Sequence, residues 1–268
     1  MSKKIKLGVV GDPIDHSLSP LIHSKFGALN GVEIDYQPFH VVQKDLIEFI
    51  KDFFNKGGHG LNITLPHKLN CVHAADILSS DVELLGAANT LSKNQDEQIV
   101  ASSTDGLGLI RDCSDKNIEI SNKRVLVLGA GGACQSIIPA IARMNPAKLM
   151  VDNRSPNKIS ILLKKFSSFS LERFERNDEP IDLLINATSA ALLGPFDWDI
   201  QDQFNKETIF YDLSYGKASE NFFSWSSQFS KNRFDGTGML IAQAAFSFQL
   251  WFDTFPDISN IDLSNVND

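Results

Sequence analysis

The sequence predicts an α/β protein of two domains, and three observations carry that expectation. Short β-rich runs alternate with helical patterns in the first part of the chain. A polar break, DKNIEISNK at 115–123, separates this series from a second one of the same kind. The second series opens on VLVLGAGGACQSI, a strand running into a glycine-rich turn and then a helix, which is the context a phosphate-binding turn requires. At 268 residues the chain can give each domain its own core.

The elements follow in order. IKLGVVG reads as a strand, LSPLIHSKFGALNG as a helix, IDYQPFHV as a strand, KDLIEFIKDFFNKG as a helix and GLNITLP as a strand. Strand, helix, strand repeated in this way argues for a mainly parallel sheet with helices on its faces. The first domain is expected to span 1–105 and the second 106–236. The second contains VLVLG, a helix from Ala133 to Met144, KLMVDN, a helix from Pro156 to Phe166, IDLLINATS and IFYDLSY. The last helical stretch, GMLIAQAAFSFQLWF, is apolar nearly all round, so it is expected to be buried.

A formal net charge of −8 opposes broad attraction to nucleic acid or anionic membranes and points to a small-molecule partner. No stretch approaches the roughly 20 apolar residues of a membrane span. Cys71, Cys113 and Cys134 form an odd set without CxxC spacing, which fits a reducing cytoplasm better than a disulfide framework. His59, His67 and His73 have no matching acid or cysteine set, so no metal is expected.

In the glycine turn, Gly129 permits the tight bend and Gly131 lets the backbone approach a pyrophosphate at a helix N-terminus. Cys134 stands where the fingerprint has its third glycine. The next strand ends at Asp152, at the interval where an acid can hold the adenosine ribose of NAD. Arg154, Ser155 and Lys158 follow, and a guanidinium suits the 2′-phosphate of NADP. Spacing leans towards NADP without deciding. In the first domain, Pro66 at a helix start would place Lys68 in the first turn, where the dipole disfavours a cation. Asp105 reads equally as a helix N-cap. Ser17 and Ser19 sit at another helix start, as caps or anion ligands.

Over essentially its whole length the chain resembles bacterial shikimate dehydrogenases. SLSP (17–20), NITLPHK (62–68), GAANT (86–90), TDG (104–106), GAGGA (129–133), NRS (153–155), NATS (186–189), YDLSY (211–215) and DGTGMLIAQAA (235–245) occur in that family's order. The resemblance implies a substrate domain followed by a Rossmann NADP-binding domain, with a C-terminal helix in 237–268 returning to complete the first. It implies that Ser17 and Ser19 hold the substrate carboxylate, and that Thr64, Asn89, Tyr215 and Gln243 fix the ring substituents. Lys68 and Asp105 match the family's catalytic pair, both also touching substrate. Gly129, Ala130, Gly131, Gly132 and Ala133 would bind pyrophosphate, and Asn153, Arg154, Ser155 and Lys158 the NADP phosphate, leaving Asp152 as a strand-end residue. Thr188, Leu213 and Gly236 match positions near the nicotinamide.

The implied activity is reversible NADPH-dependent reduction of 3-dehydroshikimate to shikimate, a step of aromatic amino acid biosynthesis in the cytoplasm, by a protein for which a homodimer is compatible. Ser103, Ala191 and Gly216 depart from the family pattern, the last two in loops at the nicotinamide side. Two alternatives stand beside this reading. One is a quinate/shikimate enzyme using NAD, motivated by Asp152. The other is a non-catalytic shikimate-binding regulatory protein, motivated by the altered loops.

Overall fold

The computed structural model describes residues 4–177 and 179–263. The chain divides into two compact units, Met1–Gly108 with Ile241–Asp268, and Leu109–Leu240. The expected break at Asp105 thus falls three residues before the observed one, inside a helix rather than in a linker.

The first unit carries a six-stranded sheet: β1 (Ile5–Gly11), β2 (Ile34–His40), β3 (Gly60–Ile63), β4 (Ile77–Leu78), β5 (Thr90–Lys93) and β6 (Ile99–Ser102), in the order β2-β1-β3-β5-β6-β4. The sheet is mainly parallel, as expected, with one exception: β5 runs antiparallel to both β3 and β6. The cause is local. Asn94 accepts the backbone N–H groups of Asp96 and Gln98 on its side chain, closing a turn too short for a parallel crossover. With β5 antiparallel to both neighbours, Thr90 stands opposite both Asn62 and Ser102, so the start of β5 and the end of β6 share an edge with the carboxyl end of β3.

Around this sheet pack α1 (Ser19–Leu29), α2 (Leu46–Asn55) and α3 (Ser80–Leu85). In α2 the buried residues Leu46, Ile50 and Phe54 recur every fourth position, a single apolar stripe against the sheet core. Within α4 (Asp105–Asp115) the chain enters the second unit.

The second unit has α5 (Gly132–Arg143), α6 (Pro156–Lys165) and α7 (Glu220–Ser226) with six parallel strands. They are β7 (Arg124–Leu128), β8 (Lys148–Asp152), β9 (Leu171–Arg173), β10 (Leu183–Asn186), β11 (Ile209–Asp212) and β12 (Arg233–Phe234), in the order β12-β11-β10-β7-β8-β9. Counted within the unit this is 6-5-4-1-2-3, the dinucleotide-binding order, with its switch point between β7 and β10. β7, β8 and β10 are buried nearly throughout, as strands covered on both faces must be.

The last helix, α8 (Thr237–Phe252), passes back, and from Ile241 it belongs to the first unit. Trp251 anchors it there: its indole N–H donates to the Leu91 carbonyl at 3.0 Å. Among the described residues no helix is long and apolar enough to cross a membrane.

Candidate active site

At the carboxyl edge of the first sheet, the loops after β3 and β6 and the residue before β5 converge. Lys68 Nζ donates to Asp105 Oδ2 at 2.6 Å, and Asn89 Nδ2 donates to Asp105 Oδ1 at 2.9 Å. Lys68 lies in a single 3-10 turn, His67–Leu69, rather than at an α-helix start. The dipole expected to bear on it is therefore missing, and the carboxylate beside it is the dominant electrostatic neighbour. Asp105 is the first residue of α4, but its oxygens accept from Lys68 and Asn89, so the N-cap reading gives way to a side chain aimed at this pair.

Asn89 is held from several sides. Its amide also donates to Thr104 Oγ1 (2.8 Å) and Gln243 Oε1 (3.2 Å), and its oxygen accepts the Thr104 N–H at 2.9 Å. Behind it, Ser247 Oγ lies 2.8 Å from Thr90 Oγ1 and accepts from Asn62 Nδ2 at 3.0 Å, while Tyr36 Oη donates to Asn62 Oδ1 at 2.8 Å. The result is a continuous buried polar network ending at a lysine whose side chain is 27% exposed. Ser19 opens α1 and Ser17 precedes it, with the Ser19 N–H donating to Ser17 Oγ at 3.3 Å. Burial pushes the Tyr36 phenol well up, and the Ser19 hydroxyl acts the other way. Thr64 follows β3, its N–H bonded to the Val10 carbonyl.

Asn62, Thr90, Thr104 and Ser247 had no assigned role in the sequence reading. Ser247 carried a usable signal, because it lies four residues after Gln243 on one helix face. Two of the three histidines weighed for metal bond backbone carbonyls, His67 that of Val41 and His59 that of Trp251.

In the second unit the glycine turn joins β7 to α5 at the switch point. Gly129 has φ +115°, and a Cβ there would lie 2.8 Å from the Ala187 carbonyl oxygen, so the fold itself demands glycine. Gly131 has φ −84°, and a Cβ there would meet nothing within 4 Å. No side chain caps α5, and no acid stands in its first turn. Gly131, Gly132 and Ala133 are exposed, Ala130 is buried, and Cys134 is fully buried where close packing was expected. The adjacent loops are tied together: Thr188 donates its N–H and hydroxyl to Asn186 Oδ1, whose amide donates to Asp212 Oδ1, and the Gly236 N–H donates to the Ser214 carbonyl that follows Leu213. Tyr215 is half-buried, which pushes its phenol up. Gly216, a departure from the family pattern, has φ +57° and donates its N–H to Asp235.

Asp152 ends β8, as expected, with Oδ1 on the Asn153 N–H (2.8 Å) and Oδ2 on the Trp198 indole N–H (2.7 Å). Asn153 Nδ2 bonds the Ser155 carbonyl. Ser155 is the N-cap residue of α6 but makes no side-chain cap bond, so its hydroxyl is not spent on capping. Arg154 and Lys158 are exposed.

A parallel sheet in dinucleotide order with an uncapped glycine turn, in one chain with a lysine–carboxylate pair set in a polar network, defines a dinucleotide-dependent oxidoreductase. Family comparison narrows the class. Residues 9–91 match the shikimate dehydrogenase substrate-binding domain, 112–214 the shikimate/quinate 5-dehydrogenase domain and 236–261 the shikimate 5′-dehydrogenase C-terminal domain. A shikimate dehydrogenase (NADP+) of Marinobacter nauticus is 38% identical over 261 residues, covering 94% of this chain and 95% of that one. Among solved structures, an Ael1 enzyme from Pseudomonas putida superposes with a TM-score of 0.87 at 32% identity, over 95% of each chain. A Thermus thermophilus shikimate 5-dehydrogenase in complex with NADP(H) and shikimate gives 0.84 at 27% identity, covering 94% of this chain and 95% of that one. The chain belongs to the shikimate dehydrogenase family.

Proposed function

We propose that Lys68 and Asp105 are the acid/base pair with which this chain performs the family's reaction. The chain is an NADP-dependent shikimate dehydrogenase, interconverting 3-dehydroshikimate and shikimate. When bound, NADPH supplies the hydride that reduces the ring carbonyl carbon. Charge then develops on the carbonyl oxygen and must be met by a proton. Lys68 Nζ holds that proton at the end of the network and delivers it to the oxygen; in the reverse direction it receives the proton of the alcohol. Asp105 fixes the Lys68 ammonium through the 2.6 Å contact and presents a carboxylate to a neighbouring substrate hydroxyl. Asn89 locks Asp105 in turn. Gln243, Thr64, Ser17 and Ser19 lie in the same unit and serve ring hydroxyls and carboxylate. We assign Tyr215 to the substrate as well.

The second unit fits the cofactor on its own geometry. Gly131 and Gly132 have no neighbours that require glycine, and the first turn of α5 offers N–H groups with no capping side chain, which together suit a pyrophosphate. Gly129 and Ala130 shape that turn, Ala133 opens α5, and Thr188, Leu213 and Gly236 line the nicotinamide side. Asn153, Arg154, Ser155 and Lys158 serve the 2′-phosphate. We place the enzyme in the cytoplasm: its three cysteines are free and buried, and burial pushes their thiols up to about 12, which suits a chain that forms no disulfides.

The observation that carries the catalytic assignment is the Lys68–Asp105–Asn89 chain of bonds. Initial rates with shikimate or quinate and NADP or NAD test the reaction it serves. Shikimate with NADP is expected to be fastest; saturable shikimate binding without hydride transfer would favour the non-catalytic reading, and the highest rate with quinate and NAD would favour the quinate/shikimate reading.

A further inference from the structure

Beside the end of β8 lies a cavity of about 230 Å³ lined by Asp152, Asn153, Arg154, Asp197, Trp198 and Asp199. Arg154 brings the one positive charge among these lining residues, against three carboxylates. That balance is unexpected for a pocket meant to hold a dianionic phosphate, and the bonds within it explain how it can. We propose that Trp198 is a positioning residue that sets cofactor preference by restraining Asp152 and supporting Arg154. The proposal rests on the assignment of this pocket to the 2′-phosphate end of NADP.

Trp198 is rigidly placed. It is 8% exposed and packs in a cluster with Phe196, Phe222 and Trp225. Its two functional surfaces point at the two residues that compete for cofactor choice. The indole N–H donates to Asp152 Oδ2 at 2.7 Å, and the Arg154 guanidinium lies over the ring, 5.5 Å from its centroid. An acid at this strand end selects NAD by accepting both ribose hydroxyls on a carboxylate free to turn towards them. Here each oxygen already accepts a donor from the chain, the second being the Asn153 N–H, and the carboxylate plane is fixed. Asp199 is likewise occupied, by Arg176 at 2.9 Å. The same indole offers Arg154 a cation–π surface, which orders a side chain otherwise exposed to solvent. One residue thus weakens the NAD-selecting acid and strengthens the NADP-selecting base.

Trp198→Phe separates the two effects, because it keeps a ring face but removes the N–H. The test is fluorescence titration of NADPH and NADH onto the whole protein, without turnover, together with competition by 2′-AMP and 5′-AMP. In Trp198→Phe, NADPH and 2′-AMP are expected to bind more weakly and NADH more tightly, moving the affinity ratio roughly tenfold towards NADH, the size of one lost charge-assisted bond. In an Asp152→Asn background the same change should leave the ratio where it was, because no carboxylate remains to be released. Equal weakening of both nucleotides, or an undiminished shift in the Asp152→Asn background, overturns the positioning role while leaving the NADP assignment intact. A wild-type protein that binds neither nucleotide, or prefers NADH, removes the assignment and the proposal together.

Discussion

In the first unit the candidate groups are bonded to one another: Lys68 to Asp105, Asp105 to Asn89, Asn89 to Thr104 and Gln243. In the second, the corresponding groups are backbone N–H groups of a turn in which Gly131 and Gly132 face open space, while Gly129 is pressed against the Ala187 carbonyl. The first site is made of side chains and needs elements from across a unit to hold them in place; the second is made of backbone and needs only a strand, a turn and a helix. A side-chain site therefore couples function to packing. A backbone site can lose its function without touching stability.

The largest effect should come from breaking the side-chain site at its exposed end. Lys68→Ala removes the proton donor but leaves Asp105 with its Asn89 partner, so the protein should fold while kcat drops by roughly 10²–10⁴-fold, the range of general acid/base catalysis. Because the lost interaction is strongest in the transition state, KM should move far less. Steady-state kinetics with shikimate and NADP decide the matter; a large rise in KM at unchanged kcat would make Lys68 a binding residue.

The next contrast lies within three residues of the glycine turn. Gly129→Ala puts a side chain at φ +115° and against the Ala187 carbonyl, so it should destabilise the protein by about 1–3 kcal/mol. Gly131→Ala has ordinary backbone angles and open space, so its stability cost should stay below about 1 kcal/mol while NADPH affinity falls. Thermal melts with and without NADPH separate the two. If Gly131→Ala loses as much stability as Gly129→Ala, the open space at that turn does not reflect a ligand's place.

The same difference explains what could be read from the chain alone. The glycine turn is local, and its whole logic is printed in VLVLGAGGAC, so the second unit's strands β7, β8, β10 and β11 and its cofactor loop were legible. The first unit's network is not local. The antiparallel pairing of β5 depends on a polar turn at Asn94–Gln98 between two four-residue strands, too short to show a clear alternation. Without that pairing nothing places Thr90 opposite Asn62, or suggests that Ser247 would bridge them. Lys68 was misread for a related reason. Pro66 signals the start of a helix, but the chain makes only short 3-10 turns there before β4. Trp198 gave no sign of its role, because its partners lie 46 and 44 residues earlier.

The smallest effect is one the wild-type protein should conceal. His23 in the first unit is fully buried, stacked on Tyr36, with both ring nitrogens unbonded; burial lowers it to about 3, only partly opposed by Asn62. Unfolding lets it take a proton below its usual 6.5, so its contribution is lost as pH falls from 6.5 towards 3. Asp212 in the second unit is pushed the other way, to about 7, first by burial and with Oδ2 lacking any partner. The folded state then holds a proton that the unfolded state releases above 3.8, so stability falls as pH rises from 3.8 through 7. Between roughly pH 4 and 6.5 the two slopes, each at most about 1.4 kcal/mol per pH unit, oppose one another. Denaturant unfolding of His23→Phe should therefore show stability declining with pH across this window, and Asp212→Asn should show it rising. Variants that both keep the wild-type profile would mean that neither buried group governs how its unit responds to acid.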